Sequence, residues 1–192
     1  EGPRVTRFCE QPNGRWRFWL HFDSEGRPSR ATRYIEGGDI AAGTQDTGGR
    51  GASNSVLAFA DWMTGELVAE FVTHGMKPYE LAAIAVAAGR WFEGDDYLPA
   101  FMVYERNGPG GEFGETVVKK YRYNNVFIED RGRSPETKFG WHKDGRGSDA
   151  RVAFGNHQEM ICDGRFKERS QDCVDEMRHY QHNPNGTGAP IH

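Results

Sequence analysis

Two acidic residues stand where apolar runs of the sequence end. Asp39 belongs to residues 33–43, a run that stops at glycine, and Glu105 directly follows the apolar run 98–104. We interpret the first run as a buried strand that carries Asp39 into the core. Burying a carboxylate is costly unless a positive charge compensates it, and no Lys or Arg lies between Arg33 and Arg50. A divalent metal ion is the natural partner of such an acid, and the alternative is that Asp39 caps a turn in water.

Two other sites suggested by residue types are less well supported. Cys162, Cys173, His179 and His182 could form a zinc site, but they lack a Cys-x-x-Cys pair, so we interpret them as half-buried helical residues.

The glycine-rich residues 43–53 suggest a phosphate-binding loop. They lack a Gly-Lys-Ser/Thr ending and precede a strand pattern, so we interpret them as a flexible connection beside an active site.

Length and composition limit the class of protein. The chain has 192 residues, of which 36% are hydrophobic and 27% charged, as in an ordinary single globular domain. No apolar run approaches the roughly 20 residues of a membrane span. The start has no signal-peptide character and the three cysteines are scattered, so we expect an intracellular setting.

The charge is unevenly distributed along the chain. The net charge of −4 argues against a general coat for nucleic acid. Residues 117–151, however, hold nine basic residues against five acids. This basic stretch could contact phosphates without reading sequence, or it could be a solvated face of Lys and Arg.

The elements that position the two acids follow from local patterns. Asn13-Gly14 lies between two β-rich runs and is a hairpin signal, and Pro78 begins a helix whose apolar stripe recurs at helical spacing. The predicted strands cover 5–10, 15–22, 34–42, 54–61, 66–73, 98–104 and 125–128. One predicted helix begins at 77–78, and a second covers 113–123.

This order of elements predicts a mixed α/β sheet flanked by helices, the layout of the ribonuclease H-like fold. The first strand of the antiparallel meander and the strand after the first helix should then be neighbours. Asp39 and Glu105, each at or near the carboxyl end of its strand, should converge on one metal site.

Several motifs resemble one known family over about residues 33–182. The most specific are Gly37-Gly-Asp39-Ile-Ala-Ala-Gly43 and Glu105-Arg-Asn107-Gly-Pro-Gly110. The others are residues 52–55, 61–69, 78–82 and 138–141, a predicted helix after Ser148 and a predicted helix over 170–180. Together they resemble the nuclease domain of the large terminase subunit of tailed bacteriophages. The resemblance implies that Asp39 and Glu105 are the first and second catalytic acids.

The resemblance also implies a biological setting. We expect an endonuclease that cuts concatemeric viral double-stranded DNA in the host cytoplasm during genome packaging, away from any membrane. Its expected partners are the portal protein, the small terminase subunit and an ATPase domain of the same polypeptide, which the 192 residues do not include. Residues 1–30 would form an N-terminal β-hairpin extension and residues 31–192 the nuclease domain, truncated at its C-terminal end.

The chain departs from the family pattern at the third acid. That acid is expected after the last helix, and we expect it beyond His192 unless another acid serves. The local candidates are Asp61, Asp149 and Asp175, which we interpret as a turn acid, a first-turn helical acid and an exposed helical charge.

The implied mechanism is hydrolysis of a phosphodiester assisted by two Mg²⁺ or Mn²⁺ ions. Asp39 would bridge the ions, Glu105 would hold one of them, and Asn107 would orient substrate or water. The expected DNA-binding residues are Lys119, Lys120, Arg122, Arg131, Arg133, Lys143 and Arg146. The alternatives are a Holliday-junction resolvase or transposase-like nuclease on the same fold, and a non-catalytic module that binds DNA or docks on the portal.

Overall fold

A five-stranded mixed sheet forms the centre of the molecule. The computed structural model describes residues 2–43, 54–129, 138–142, 156–178, 180–182 and 188–190. The strands lie in the order β1-β4-β3-β2-β5. Their bounds are β1 Trp16–Phe18, β2 Tyr34–Asp39, β3 Asn54–Asp61, β4 Leu67–His74 and β5 Phe101–Tyr104.

The strand pairing matches the predicted topology. β2, β3 and β4 form an antiparallel meander, and β5 pairs with β2 in parallel. Helix α1, Pro78–Trp91, connects β4 to β5. The hairpin between β3 and β4 turns at Gly65. This residue has a φ of 65°, and a positive φ was predicted for the glycine of this turn.

Helix α1 covers one face of the sheet with the predicted apolar stripe. Leu81, Ala85, Ala88 and Phe92 are fully buried. The helix begins where predicted because Pro78 needs no N–H partner in the first turn. The Glu80 carboxylate also accepts a hydrogen bond from the Lys77 backbone N–H at 3.1 Å, which satisfies a donor at the helix start.

At the N-terminus one of the two predicted strands forms. β1 pairs with β4, whereas residues 5–10 form no strand. The aromatic ring of Phe8 packs instead against Phe18 and Trp91, with ring centroids 4.7 Å apart in both pairs. Burial of aromatic side chains therefore replaces the predicted hairpin ladder in this segment.

After β5 the chain forms helix α2, Pro109–Glu115, which continues into a π-helical turn, Thr116–Lys120. The helix begins four residues before the predicted position because Gly108, with a φ of 52°, turns the chain and Pro109 then starts the helix. The later elements are β6 Ile128–Glu129, β7 Lys138–Phe139, α3 at 156–162, α4 Gln171–Arg178, β8 Tyr180–His182 and β9 Gly188–Pro190.

Polar contacts attach the segment before α4 to β4 and to the turn that precedes it. The Ser170 hydroxyl donates to the Glu70 carboxylate at 3.2 Å, and Lys167 and Arg169 both lie 2.9 Å from Glu66. Glu70 is almost fully buried, and this burial raises the pKa of its carboxyl. Within the described residues, no helix combines the length and apolar character needed to cross a membrane.

Candidate metal centre

The carboxyl ends of β2 and β5 bring Asp39 and Glu105 together. Gly38 of β2 pairs with Tyr104 of β5, and the Glu105 N–H lies 3.4 Å from the Gly38 carbonyl oxygen. The next position on each strand is Asp39 and Glu105. Parallel neighbours lie about 4.8 Å apart and point their side chains to the same face, so this register places the two acids at the same edge of the sheet. The predicted convergence of Asp39 and Glu105 requires this backbone register, and the metal site itself stays a prediction.

Asp39 is not buried, and the prediction that it enters the core is wrong. It is the last residue of β2 and its side chain is exposed, whereas Glu105 is partly buried. The strand ends at Asp39, and the next residue, Ile40, is buried again. The cost of burying a carboxylate therefore does not apply to Asp39, and the support for a metal site comes from the pairing of the two acids.

The buried acid of β2 is Glu36, three residues earlier. Its side chain is fully buried, and neither carboxylate oxygen has a hydrogen-bond partner among the described residues. Burial raises the pKa of Glu36 well above its ordinary value of 4.5, because desolvation favours the neutral form of the carboxyl.

Glu36 lies on the opposite face of β2 from Asp39, beside α1, so it is no ligand for the same ion. No sequence pattern singled out Glu36 as a buried acid. Its separation by two residues from the apolar Tyr34 nevertheless indicates that both lie on the same face of the strand.

Trp141 holds the backbone on both sides of Glu105. Its N–H donates to the Tyr104 carbonyl oxygen, and its own carbonyl accepts from the Arg106 N–H, both at 2.8 Å. Residues 138–141, one of the motifs of the resemblance, thus lie beside the second acid. Arg106 also forms a largely buried ion pair with Glu129 at 2.8 Å, which anchors the chain after Glu105.

The turn after Glu105 places Asn107 at the same edge of the sheet. Asn107 is partly buried, and its backbone carbonyl oxygen accepts a hydrogen bond from the Gly110 N–H at 3.1 Å. A Cβ at Gly110 would collide with the Glu105 carbonyl oxygen, so this tight turn requires glycine. Asn107 therefore lies two residues after Glu105, and its role in orienting substrate or water stays a prediction.

The other candidate acids lie elsewhere or outside the described residues. Asp61 caps the β3–β4 turn by accepting from the N–H groups of Met63 at 2.8 Å and Thr64 at 3.0 Å. It pairs with Tyr34, at the far end of β2 from Asp39. Asp175 lies on α4 and accepts from Gln171 at 2.9 Å. Asp149 lies outside the described residues.

The donor set fits a hard divalent cation. In the described part of the chain, no group of three His, Cys, Asp or Glu side chains is placed to hold a metal ion. Asp39 and Glu105 nevertheless bring two carboxyl groups to the same edge of the sheet, and carboxylate oxygens are the ligands that Mg²⁺ and Mn²⁺ prefer. For the zinc alternative, Cys162 is exposed and Cys173 partly buried, and the side chains of His179 and His182 are outside the described residues.

Three of the seven predicted DNA-binding residues belong to the described part of the chain, and their role stays a prediction. Lys119 is exposed and pairs with Glu115 at 2.7 Å, and the Lys120 ammonium lies 5.2 Å from the centre of the Tyr121 ring. Arg122 lines a cleft at the opposite end of β5 from Glu105. Outside the described residues lie Arg131, Arg133, Lys143 and Arg146.

Solved structures share this architecture, although no protein-family model and no curated protein matches the chain. The large terminase nuclease from thermophilic phage G20c with bound cobalt aligns with a TM-score of 0.60 and 13% identity, over 98% of this chain and 82% of that chain. The same nuclease with bound magnesium aligns with a TM-score of 0.56 and 14% identity, over 98% and 82% of the two chains.

A second phage protein gives the same result. The large terminase nuclease domain of Thermus phage P74-26 aligns with a TM-score of 0.55 and 15% identity, over 97% of this chain and 77% of that chain. The predicted ribonuclease H-like fold is thereby confirmed. The described structure has the fold of the nuclease domains of phage large terminases.

Proposed function

We propose that this chain is a metal-dependent endonuclease that cuts double-stranded viral DNA during genome packaging. The observation that carries the proposal is the adjacency of Asp39 and Glu105 at the carboxyl ends of β2 and β5. Two carboxylates on neighbouring parallel strands form a rigid pair of oxygen ligands. The fold supports the same conclusion, because neighbours with this fold are terminase nucleases, among them forms with cobalt, magnesium or zinc bound.

Asp39 and Glu105 would hold Mg²⁺ or Mn²⁺, and the complete site would take two ions. The bound ions would polarise the phosphodiester and lower the pKa of an attacking water. Asn107 would orient the substrate by hydrogen bonds, because its amide has both donors and acceptors. Glycine at position 110 and the two Trp141 hydrogen bonds would keep the Glu105 backbone in place.

The finer parts of the function are proposals that rest on the same likeness. They are cleavage of concatemeric DNA in the host cytoplasm and assembly with the portal protein, the small terminase subunit and an ATPase domain. The division into an N-terminal extension over 1–30 and a nuclease domain over 31–192 also stays a prediction.

A plasmid-nicking assay of Asp39→Asn and Glu105→Gln tests the proposal. A metal ion contributes several kcal/mol of transition-state stabilisation, so we expect each variant to nick at least about 100-fold more slowly than the parent. Asp175→Asn, which removes an equivalent charge from the exposed face of α4, should nick at the parent rate.

Circular dichroism should show that all three variants keep the fold, since Asp39 is exposed and Glu105 only partly buried. Wild-type nicking by either Asp39→Asn or Glu105→Gln would show that these acids do not hold the catalytic metal.

A further inference from the structure

An arginine-rich cleft lies at the end of the sheet opposite the two catalytic acids. It has a volume of about 710 Å³ and lies where Leu98 and Pro99 lead into β5, whereas Glu105 follows the other end of that strand. Six charged residues line it, of which five are arginines and one is an acid: Arg4, Arg27, Arg30, Arg90, Arg122 and Glu93. We call this cavity the arginine cleft.

The positive charge of the cleft exceeds what its own acid can neutralise. Glu93 pairs with Arg30 at 2.7 Å. Arg90 donates instead to the backbone carbonyl oxygens of Pro3 at 3.2 Å and Tyr121 at 2.9 Å. In a chain with a net charge of −4, such a concentration of guanidinium groups is a local exception, and it favours an anionic ligand.

Two acids that lie close to Tyr97 in the chain are engaged by another arginine. Asp95 and Asp96 belong to the loop that borders the cleft, but both pair with Arg33, at 3.4 Å and 3.1 Å. The Asp96 carboxylate also accepts the Leu98 N–H at 3.1 Å. These two acids are thus occupied by another arginine and by the backbone.

Unusual backbone conformations occur at two residues of the same cleft. Tyr97 has a φ of 58° and Arg122 a φ of 52°, and they are the two non-glycine residues with positive φ in the described part of the chain. Such conformations cost free energy for residues with a Cβ and are concentrated at functional sites. Both side chains line the arginine cleft, and Tyr97 is 74% exposed.

A smaller cavity of about 210 Å³ lies beside the arginine cleft. Leu98, Pro99 and Asn125 line both cavities. Trp62, which is 57% exposed, lines the smaller one. A basic cavity with an exposed Tyr therefore has a neighbouring cavity with an exposed Trp.

We propose that the arginine cleft binds an unpaired nucleic-acid strand, with phosphates on the guanidinium groups and a base stacked on Tyr97. Sites for single strands combine a positive groove with exposed aromatic rings, because every base can stack on such a ring. An acidic protein segment would also pair with arginines, but it would gain little from two exposed aromatic rings. The site goes beyond the proposed nuclease, because it contains neither Asp39 nor Glu105.

Binding of a fluorescent oligonucleotide of twelve thymidines, measured by anisotropy in EDTA at several salt concentrations, tests the proposal without any cleavage. Arg27→Gln combined with Arg122→Gln should weaken binding about tenfold. The log–log salt slope should fall by about 1.4, because each phosphate that is no longer neutralised lowers the slope for a single strand by about 0.7. Arg165→Gln with Arg178→Gln removes the same charge from exposed positions in the 156–178 segment and should change neither quantity.

Variants of Tyr97 separate stacking from charge. Tyr97→Ala should weaken oligonucleotide binding about fivefold or more, whereas Tyr97→Phe should retain it, since stacking needs the ring and not the hydroxyl. Neither change should alter binding of inorganic pyrophosphate, which has no base. Equal oligonucleotide affinity of the parent and the Arg27/Arg122 variant would overturn the proposal.

The remaining outcomes identify other ligands and also overturn it. Polyglutamate that binds through Arg27 and Arg122, with no arginine-dependent oligonucleotide binding, would assign the cleft to an acidic protein. A nucleoside triphosphate that binds through these arginines while the oligonucleotide does not would assign it to a free nucleotide.

Discussion

Glu36 and Asp39 are acids of the same strand with opposite environments. Glu36 is fully buried on the face that α1 covers, and Asp39 is exposed at the strand end. Successive strand residues point to opposite faces, so a separation of three residues is enough to place one acid in the core and the other at the exposed end of the strand. Burial favours the neutral form of Glu36, whereas the side chain of Asp39 is accessible to a cation.

Glu36 makes stability depend on pH. Burial raises its pKa in the folded state above the ordinary value of 4.5, so the folded protein holds a proton that the unfolded chain releases. The free energy of unfolding is therefore highest below about pH 4.5 with respect to this group, and it falls as pH rises from there towards the folded pKa. The slope is at most about 1.4 kcal/mol per pH unit.

Glu36→Met should remove this dependence and stabilise the protein. Each unsatisfied buried polar atom costs about 1–3 kcal/mol, so we expect a gain of about that size at pH 8 and a smaller gain at pH 5. Urea unfolding at both pH values is the measurement. A variant that is less stable than the parent at pH 8 would show that Glu36 has a favourable partner in the core.

At the scale of elements, the contact between α1 and the sheet depends on a glycine. A Cβ at Gly89 would lie 2.7 Å from Glu36 Oε2 and would collide with the Tyr123 hydroxyl. That hydroxyl donates to the Ala100 carbonyl oxygen at 2.6 Å, just before β5. Gly89 therefore allows α1 to approach β2 and the segment that leads into β5 and Glu105.

Gly89→Ala should destabilise the protein by about 1–3 kcal/mol, as expected for overpacking in a rigid core. Gly111→Ala in α2 is the matched control, because the nearest atom to its added Cβ is the Arg106 carbonyl oxygen at 3.7 Å. The control should be neutral or stabilising by about 0.4–1 kcal/mol. Thermal unfolding of both variants measures the difference, and equal stabilities would contradict close packing at Gly89.

At the scale of the whole molecule, the basic residues divide between two places. Lys119 and Lys120 end the π-helical turn, and Arg122 lines the arginine cleft. Of the basic stretch predicted from the sequence, Arg122 thus lines a cleft whose lining does not include Lys119 or Lys120. Duplex binding and single-strand binding should therefore respond to different substitutions.

Lys119→Gln with Lys120→Gln should weaken duplex binding equally for all sequences. Two phosphates of the duplex would no longer be neutralised, which lowers the log–log salt slope by about 1.8. Arg165→Gln with Lys167→Gln removes the same charge beside α3 and serves as the control. Anisotropy of a fluorescent duplex in EDTA measures both, and an unchanged slope would place the duplex elsewhere on the molecule.

Metal preference is also a property of the assembled site. Two carboxylates leave most of the coordination shell to water, and Mg²⁺ tolerates imperfect geometry poorly, so we expect at most one tight Mn²⁺ site and faster nicking in Mn²⁺ than in Mg²⁺. Calorimetric titration with Mn²⁺ measures the number of sites, and Asp39→Asn should abolish the heat of binding. Two tight sites in the parent would show that a further acid within the 192 residues is a ligand.

Local chemistry made much of the fold predictable. The bounds of β3, the turn at Gly65 and the start of α1 at Pro78 all follow from side-chain alternation, turn chemistry and helix-start signals within a few residues. The order of the elements then predicted the mixed sheet, and the ends of two apolar runs predicted that Asp39 and Glu105 stand at or near strand ends. The bounds, the turn and the helix start depend on residues that are close in the chain, whereas the sheet also requires the pairing of β2 with the distant β5.

Tertiary structure decided what long-range pairing controls. Contacts between distant parts of the chain pair β1 with β4 and place Trp141 beside Glu105. They also decide that the buried acid of β2 is Glu36 and not the predicted Asp39. Arg122 likewise joins Arg4 and Arg27 in one cleft only because separate segments meet at the start of β5. Sequence patterns indicate which face of an element is apolar, but the partner that covers that face is selected by packing of the whole chain.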